Sequence, residues 1–115
     1  MEDFRELLRM NINFLPKNLL SDLEEKSKNS PEEICGFVID NEFMQVKNSH
    51  PDPQNYFLIS PKECVWQKDA ILFHSHPIHA NTKGFSNWDI ENQKCSQFKM
   101  LLYSVKYNEF YYREP

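Results

Sequence analysis

The run Leu72-Phe73-His74-Ser75-His76-Pro77 constrains this chain more than any other stretch. Ala70 to Phe73 is apolar and bounded by turn formers, which predicts a short buried strand. His74 and His76 stand two apart near its end, so their side chains share one face, with backbones ~6–7 Å apart at ~3.3 Å per residue. Two imidazoles held this way can converge on one ion. Pro77 has no N–H to offer a ladder and stops the strand. After a loop, Ser86-Asn87-Trp88-Asp89 opens a predicted helix and brings a carboxylate into its first turn. Two imidazoles and one carboxylate leave the fourth position of a zinc ion open, the arrangement of a catalytic rather than a structural site. The same Ser-x-x-Asp spacing also forms a capping box, which ties a helix start together through reciprocal side chain to backbone bonds. Both roles can coexist at one place.

Around this centre the chain reads as short alternating elements. Residues 1–15 form a separate extension. Phe4, Leu7, Leu8 and Ile12 lie close to helical spacing, which predicts a helix that packs on the domain or serves as a capturing arm for a partner. Leu19, Leu20 and Leu23 make an apolar stripe on a helix from Lys17 to Lys28, ended by Asn29-Ser30-Pro31. Ile34 to Asp40 and Phe43 to Val46 form a hairpin turning at Asp40-Asn41. Ser49 to Asn55 is loop, Tyr56 to Ile59 a further strand, and Ser60-Pro61 opens a helix running to about Lys68. A helix over Asn87 to Gln97 follows the histidine strand, then strands at Phe98 to Val105 and Glu109 to Arg113 joined at Tyr107-Asn108. These elements predict an α/β (α+β) fold, a mixed β-sheet sandwiched by helices, in one domain over residues 16–115.

Composition removes several classes of function. Thirteen basic against 17 acidic residues give a net charge of −4, without the clustered Lys and Arg of a nucleic-acid surface. No stretch approaches the ~20 apolar residues of a membrane span, and the charged start Met1-Glu2-Asp3-Phe4-Arg5-Glu6 lacks the apolar region of a signal peptide. No nucleic-acid or membrane partner is therefore expected. Cys35, Cys64 and Cys95 are an odd number with no C-x-x-C pair, which argues against a disulfide framework and for the reducing cytoplasm. Ile34 and Phe37 beside Cys35 point to a buried, inert thiol rather than a nucleophile. His50 and His79 sit in polar loops and read as solvent-facing. Trp66 and Trp88 fill the core or line a cleft. Glu32 and Glu33 stand at a strand entrance, where spacing alone does not choose between them.

Taken together, Glu33-x-Cys35-Gly36, His74-x-His76-Pro77 and Ser86-x-x-Asp89 resemble the signature of the JAMM (MPN-type) zinc metalloprotease family, in that family's order. The resemblance runs from about Pro31 to the C-terminus. Asn48-Ser49-His50-Pro51-Asp52-Pro53-Gln54-Asn55-Tyr56-Phe57 is similar to a segment of short bacterial and phage tail-assembly members. The loop from Pro77 to Phe85 departs from the pattern in being longer and in carrying His79. The resemblance implies the MPN/JAMM (cytidine-deaminase-like) architecture and one zinc held by His74, His76 and Asp89. It selects Glu33 over Glu32 as the acid–base residue and gives the Ser86 hydroxyl a share in holding the oxyanion. It implies hydrolysis of a peptide, isopeptide or related amide bond in a peptide or protein substrate, with phage tail proteins as the partners. The segments Ile59–Ala70 and Gln97–Phe98 are too short for the insertions with which ubiquitin-cleaving relatives grip ubiquitin. A non-enzymatic assembly module on the same fold is the rival reading, and hydrolysis of a small amide conjugate a further one.

Overall fold

Leu19, Leu23 and Ser27 recur at four-residue intervals and are the buried residues of a helix spanning Lys17–Lys28, α1. The computed structural model describes residues 12–115. Pro16 precedes α1 in an extended conformation, where a residue without an N–H costs the helix nothing. The helical extension expected over residues 1–15 falls mostly outside the described residues. Its last part, Ile12 and Leu15, is buried in the core cluster that α1 also joins.

Five strands form one sheet: β1 (Cys35–Ile39), β2 (Glu42–Val46), β3 (Ile71–His76), β4 (Lys99–Ser104) and β5 (Glu109–Arg113), in the spatial order β2-β1-β3-β4-β5. The β1–β2 hairpin turns at Asp40 and Asn41, both with positive φ (51° and 64°), as the tight turns matched to strand twist require. β3 pairs antiparallel with β1 and parallel with β4. Being central, it is buried along its whole length, which explains why its first half, Ile71 to Phe73, is a continuous apolar run rather than an alternation. The parallel β3–β4 pair is linked by a helix over Asn87–Ser96, α2.

The period-2 rule sorts the core into two faces. Val38, Ile71, Phe73, Leu101 and Tyr103 point toward α1 with Leu19 and Leu23. Cys35, Phe37, Leu72 and Met100 point to the other face, against Phe57 and Phe98. Alternation along β3 therefore sends His74 and His76 to the same side as Leu72, at the carboxyl end of a parallel strand.

Two predicted elements are absent. Tyr56–Ile59 is not a strand, because the Asn48 side chain takes its backbone groups: Tyr56 O accepts from Asn48 Nδ2 at 2.9 Å, and Leu58 N donates to Asn48 Oδ1 at 3.1 Å. A side chain that satisfies backbone groups locally removes the drive to join a ladder. The helix expected from Ser60 to Lys68 shrinks to one 3-10 turn, Pro61–Glu63, after which Cys64 is extended. Ile59, Cys64 and Val65 all pack on one apolar cluster, an arrangement irregular chain allows. The helical layer expected on this face is thus partly irregular segment. Trp66 is no core residue. It is 70% exposed and stacks on Phe98 with ring centroids 5.1 Å apart. Among the described residues no helix is long and apolar enough to cross a membrane.

Candidate metal centre

His74 and His76 leave β3 on one face with ring centroids 5.2 Å apart. Asp89 reaches them from the first turn of α2. Ser86 caps that helix: its Oγ accepts the Asp89 N–H at 3.1 Å, and its own N–H donates to Asp89 Oδ2 at 2.9 Å. The capping box therefore aims one carboxylate oxygen back across the loop. Asp89 Oδ2 lies 3.1 Å from His74 Nε2 and 3.1 Å from His76 Nε2. The His76 contact is a hydrogen bond. The His74 contact is not aligned for one, which leaves its Nε2 without a hydrogen-bond partner among the described residues.

Glu33 stands just before β1. It is 4% exposed, whereas its neighbour Glu32 is exposed. Glu33, His74 and His76 present ligand atoms within 4.8 Å of one another. Two donor sets are thus possible: Glu33 with the two histidines, and Asp89 with them. Metal–ligand bonds of ~2.0–2.1 Å in a tetrahedron put neighbouring donors ~3.3 Å apart. The two 3.1 Å separations from Asp89 Oδ2 fit that edge.

Burial and charge set the protonation states. Burial lowers the His74 pKa, with Asp89 opposing it. Burial alone would raise the Asp89 carboxyl, but His74 and then His76 outweigh it and hold the group well below the usual carboxylate range. Burial first, then Asp89 and Asp52, push Glu33 up to about 9. Burial first, then Glu33 and Glu63, push the Cys35 thiol up to about 12, an unreactive state. Among the described residues, Glu33 Oε1, His74 Nδ1, His74 Nε2 and His76 Nδ1 are buried without hydrogen-bond partners. Such a concentration of unsatisfied polar atoms is uncommon in a folded interior. A cation held by His74 Nε2, His76 Nε2 and Asp89 Oδ2 would satisfy His74 Nε2, and imidazole nitrogen with carboxylate oxygen is a donor set for a divalent transition metal.

An open cleft of about 960 Å³ reaches this centre, with Glu33, His76 and Ser86 in its wall. Tyr56, Asp52, His79 and Trp88 also line it. His74 and Asp89 lie behind that wall, fully buried. His79 lines the same cleft as His76 but is not in the group whose ligand atoms cluster with the imidazole pair. Its Nε2 bonds the Gln54 carbonyl oxygen at 2.8 Å and ties two loops together. His50 Nδ1 accepts the Asp52 N–H at 2.9 Å, and its ring stacks on Tyr56. Phe57 stacks on His74 with centroids 4.4 Å apart. Nothing in sequence spacing singled out Asn48, although an Asn among turn formers is a signal for side chain to backbone bonding.

No protein-family model matches the chain, and no curated protein compared with it matches.

The two roles of Ser86 can be separated. An N-cap Ser replaced by Ala costs a helix about 1 kcal/mol, but replaced by Gly only a few tenths. Ser86→Gly should therefore melt close to the parent while Ser86→Ala melts lower. If the hydroxyl also stabilises an oxyanion, both variants should lose turnover equally, by about 2.7–4 kcal/mol of barrier. Thermal melts and steady-state rates on the pair check this, and turnover that follows the melting order would assign Ser86 to capping alone.

Proposed function

We propose that this chain is a zinc-dependent hydrolase of the JAMM (MPN-type) kind, cleaving a peptide, isopeptide or related amide bond. The observation that carries the reading is Asp89 Oδ2 standing 3.1 Å from both His74 Nε2 and His76 Nε2, with Glu33 beside them at the cleft wall. His74, His76 and Asp89 would hold the ion. Zinc in that position supplies a Lewis acid and an acidified water near neutral pH. Glu33 accepts the proton of the attacking water and passes it to the leaving nitrogen. The Ser86 hydroxyl, whose oxygen is occupied by the Asp89 N–H, has its hydrogen free to donate to the developing oxyanion. To take the water's proton Glu33 must be ionised; burial, Asp89 and Asp52 disfavour that form in the metal-free centre, and a cation beside it would favour it.

The compact chain, with only a 3-10 turn and a short loop between Ile59 and Ala70, supports a small peptidase of the phage or prophage tail-assembly kind. Its setting would be the cytoplasm, with tail proteins as partners. Metal analysis of the purified protein tests the centre: about one zinc per chain is expected, lost in His74→Ala. Parent protein without zinc, or His74→Ala with its zinc retained, overturns it. Turnover on peptide and conjugate libraries tests the chemistry. Zinc without any turnover would move the reading to an assembly module built around a structural ion.

A further inference from the structure

Asn48 makes more side-chain hydrogen bonds than its place in a polar loop suggests. Its Nδ2 donates to Glu33 O at 2.8 Å, Tyr56 O at 2.9 Å and Pro53 O at 3.3 Å. Its Oδ1 accepts from His50 N and Leu58 N, each at 3.1 Å. One amide thus engages both ends of the 48–58 loop and the backbone of the residue at the cleft wall. The loop closes the circuit from its own side, since Glu33 N donates to Pro53 O at 2.8 Å. The next residue is fixed separately: Ile34 N donates to Ser75 Oγ at 2.9 Å, and Ile34 O accepts from Ser75 N at 3.0 Å. Ser75 lies between the two histidines. Glu33 is therefore gripped by the loop on one side and, through Ile34, by the histidine strand on the other.

We infer that Asn48 is a positioning residue that sets where the Glu33 carboxyl stands relative to His74, His76 and Asp89. The same amide fixes Tyr56 on the cleft wall and, through Leu58, the chain around Phe57, whose ring stacks on His74. No other side chain type does this work at that place. Three carbonyls need a two-hydrogen donor, two amides need an acceptor, and only a carboxamide offers both. Aspartate keeps the acceptor but turns a second oxygen toward three carbonyl oxygens. This inference rests on the role proposed above for Glu33, and its test has a part that does not depend on that role.

The experiment compares the parent with Asn48→Ala and Asn48→Asp by amide hydrogen exchange, metal analysis and steady-state kinetics. Faster exchange by tenfold or more is expected at Glu33 in both variants, and at His50 and Leu58 in Asn48→Ala, which loses their acceptor. Core amides of the β3–β4 ladder, such as Leu101 and Leu102, should exchange as in the parent. A purely structural loss would raise exchange in both places. Zinc should remain at one per chain. Because the ligands stay and the acid–base group moves, kcat should fall 10–100-fold with KM within about threefold, the usual scale for a lost outer partner. Unchanged exchange at Glu33, exchange raised equally through the core, or an unchanged kcat with locally raised exchange would each overturn the inference. If the parent hydrolyses nothing, the hydrolase reading fails, and the exchange pattern alone decides whether Asn48 fixes Glu33.

Discussion

Glu33→Gln should fold, hold its zinc and lose turnover by ~10²–10⁴-fold, the range that general acid–base catalysis usually contributes. The same variant should make the metal-free protein more stable, and that paired outcome is the sharper test. The Glu33 carboxyl is raised from 4.5 to about 9 by burial, Asp89 and Asp52. Between those values the unfolded chain gives up this proton and the fold keeps it. Raising the pH through the window therefore favours unfolding, and the deficit levels off above about 9. Below the unfolded value the group is protonated in both states and contributes no difference. At pH 7 the cost is on the order of 3 kcal/mol. Glutamine cannot ionise and removes it. Thermal melts of chelated parent and variant from pH 5 to 8 should show a gap in favour of Gln that widens with pH. A gap that stays flat across that range would falsify the burial assigned to Glu33.

Gly36→Ala should be the most damaging single methyl group in the sheet. A Cβ at Gly36 would stand 2.2 Å from the Met44 carbonyl oxygen and 2.9 Å from Gln45 Cα. Both belong to the backbone of β2, so no side-chain rotation relieves the overlap. Overpacking costs typically about 1–3 kcal/mol, and the upper end of that range lowers the melting temperature of a domain this size by about 12 °C. Because β1 also pairs with β3, the displacement would travel to the histidines, and zinc affinity should weaken with stability. Calorimetry and a zinc titration check the pair. A melting temperature within a few degrees of the parent would show that β2 can move away freely.

The elements that local rules govern were legible from the sequence. The Leu19–Leu23 stripe, the Asp40-Asn41 turn and the apolar run before His74 each carry their own period or turn chemistry. The histidines and Asp89 could be placed near each other because a strand alternates and a capping box fixes the first turn of a helix. Glu33 was not legible this way. What separates it from exposed Glu32 is burial beneath a loop whose anchor, Asn48, lies far along the chain. The same anchor explains the miss at Tyr56–Ile59. A β-rich run looks like a strand until a distant amide claims its backbone groups. The helix predicted after Ser60 failed for a related reason, since Trp66 finds its apolar partner in Phe98, beyond the reach of any local window.

The oxygen shared between the helix start and the imidazoles has an evolutionary consequence. Glutamate is the commoner third residue in a capping box and closes a helix start just as well. At position 89 it would carry its carboxylate one methylene too far, past the two ring nitrogens that Asp89 Oδ2 meets. Helix formation alone therefore gives no reason to prefer the shorter acid. If the proposed ion is bound, descendants of this chain that lose it would be free to drift to Glu, Gln or Ser there, so the residue at this one position should record whether a lineage keeps the centre.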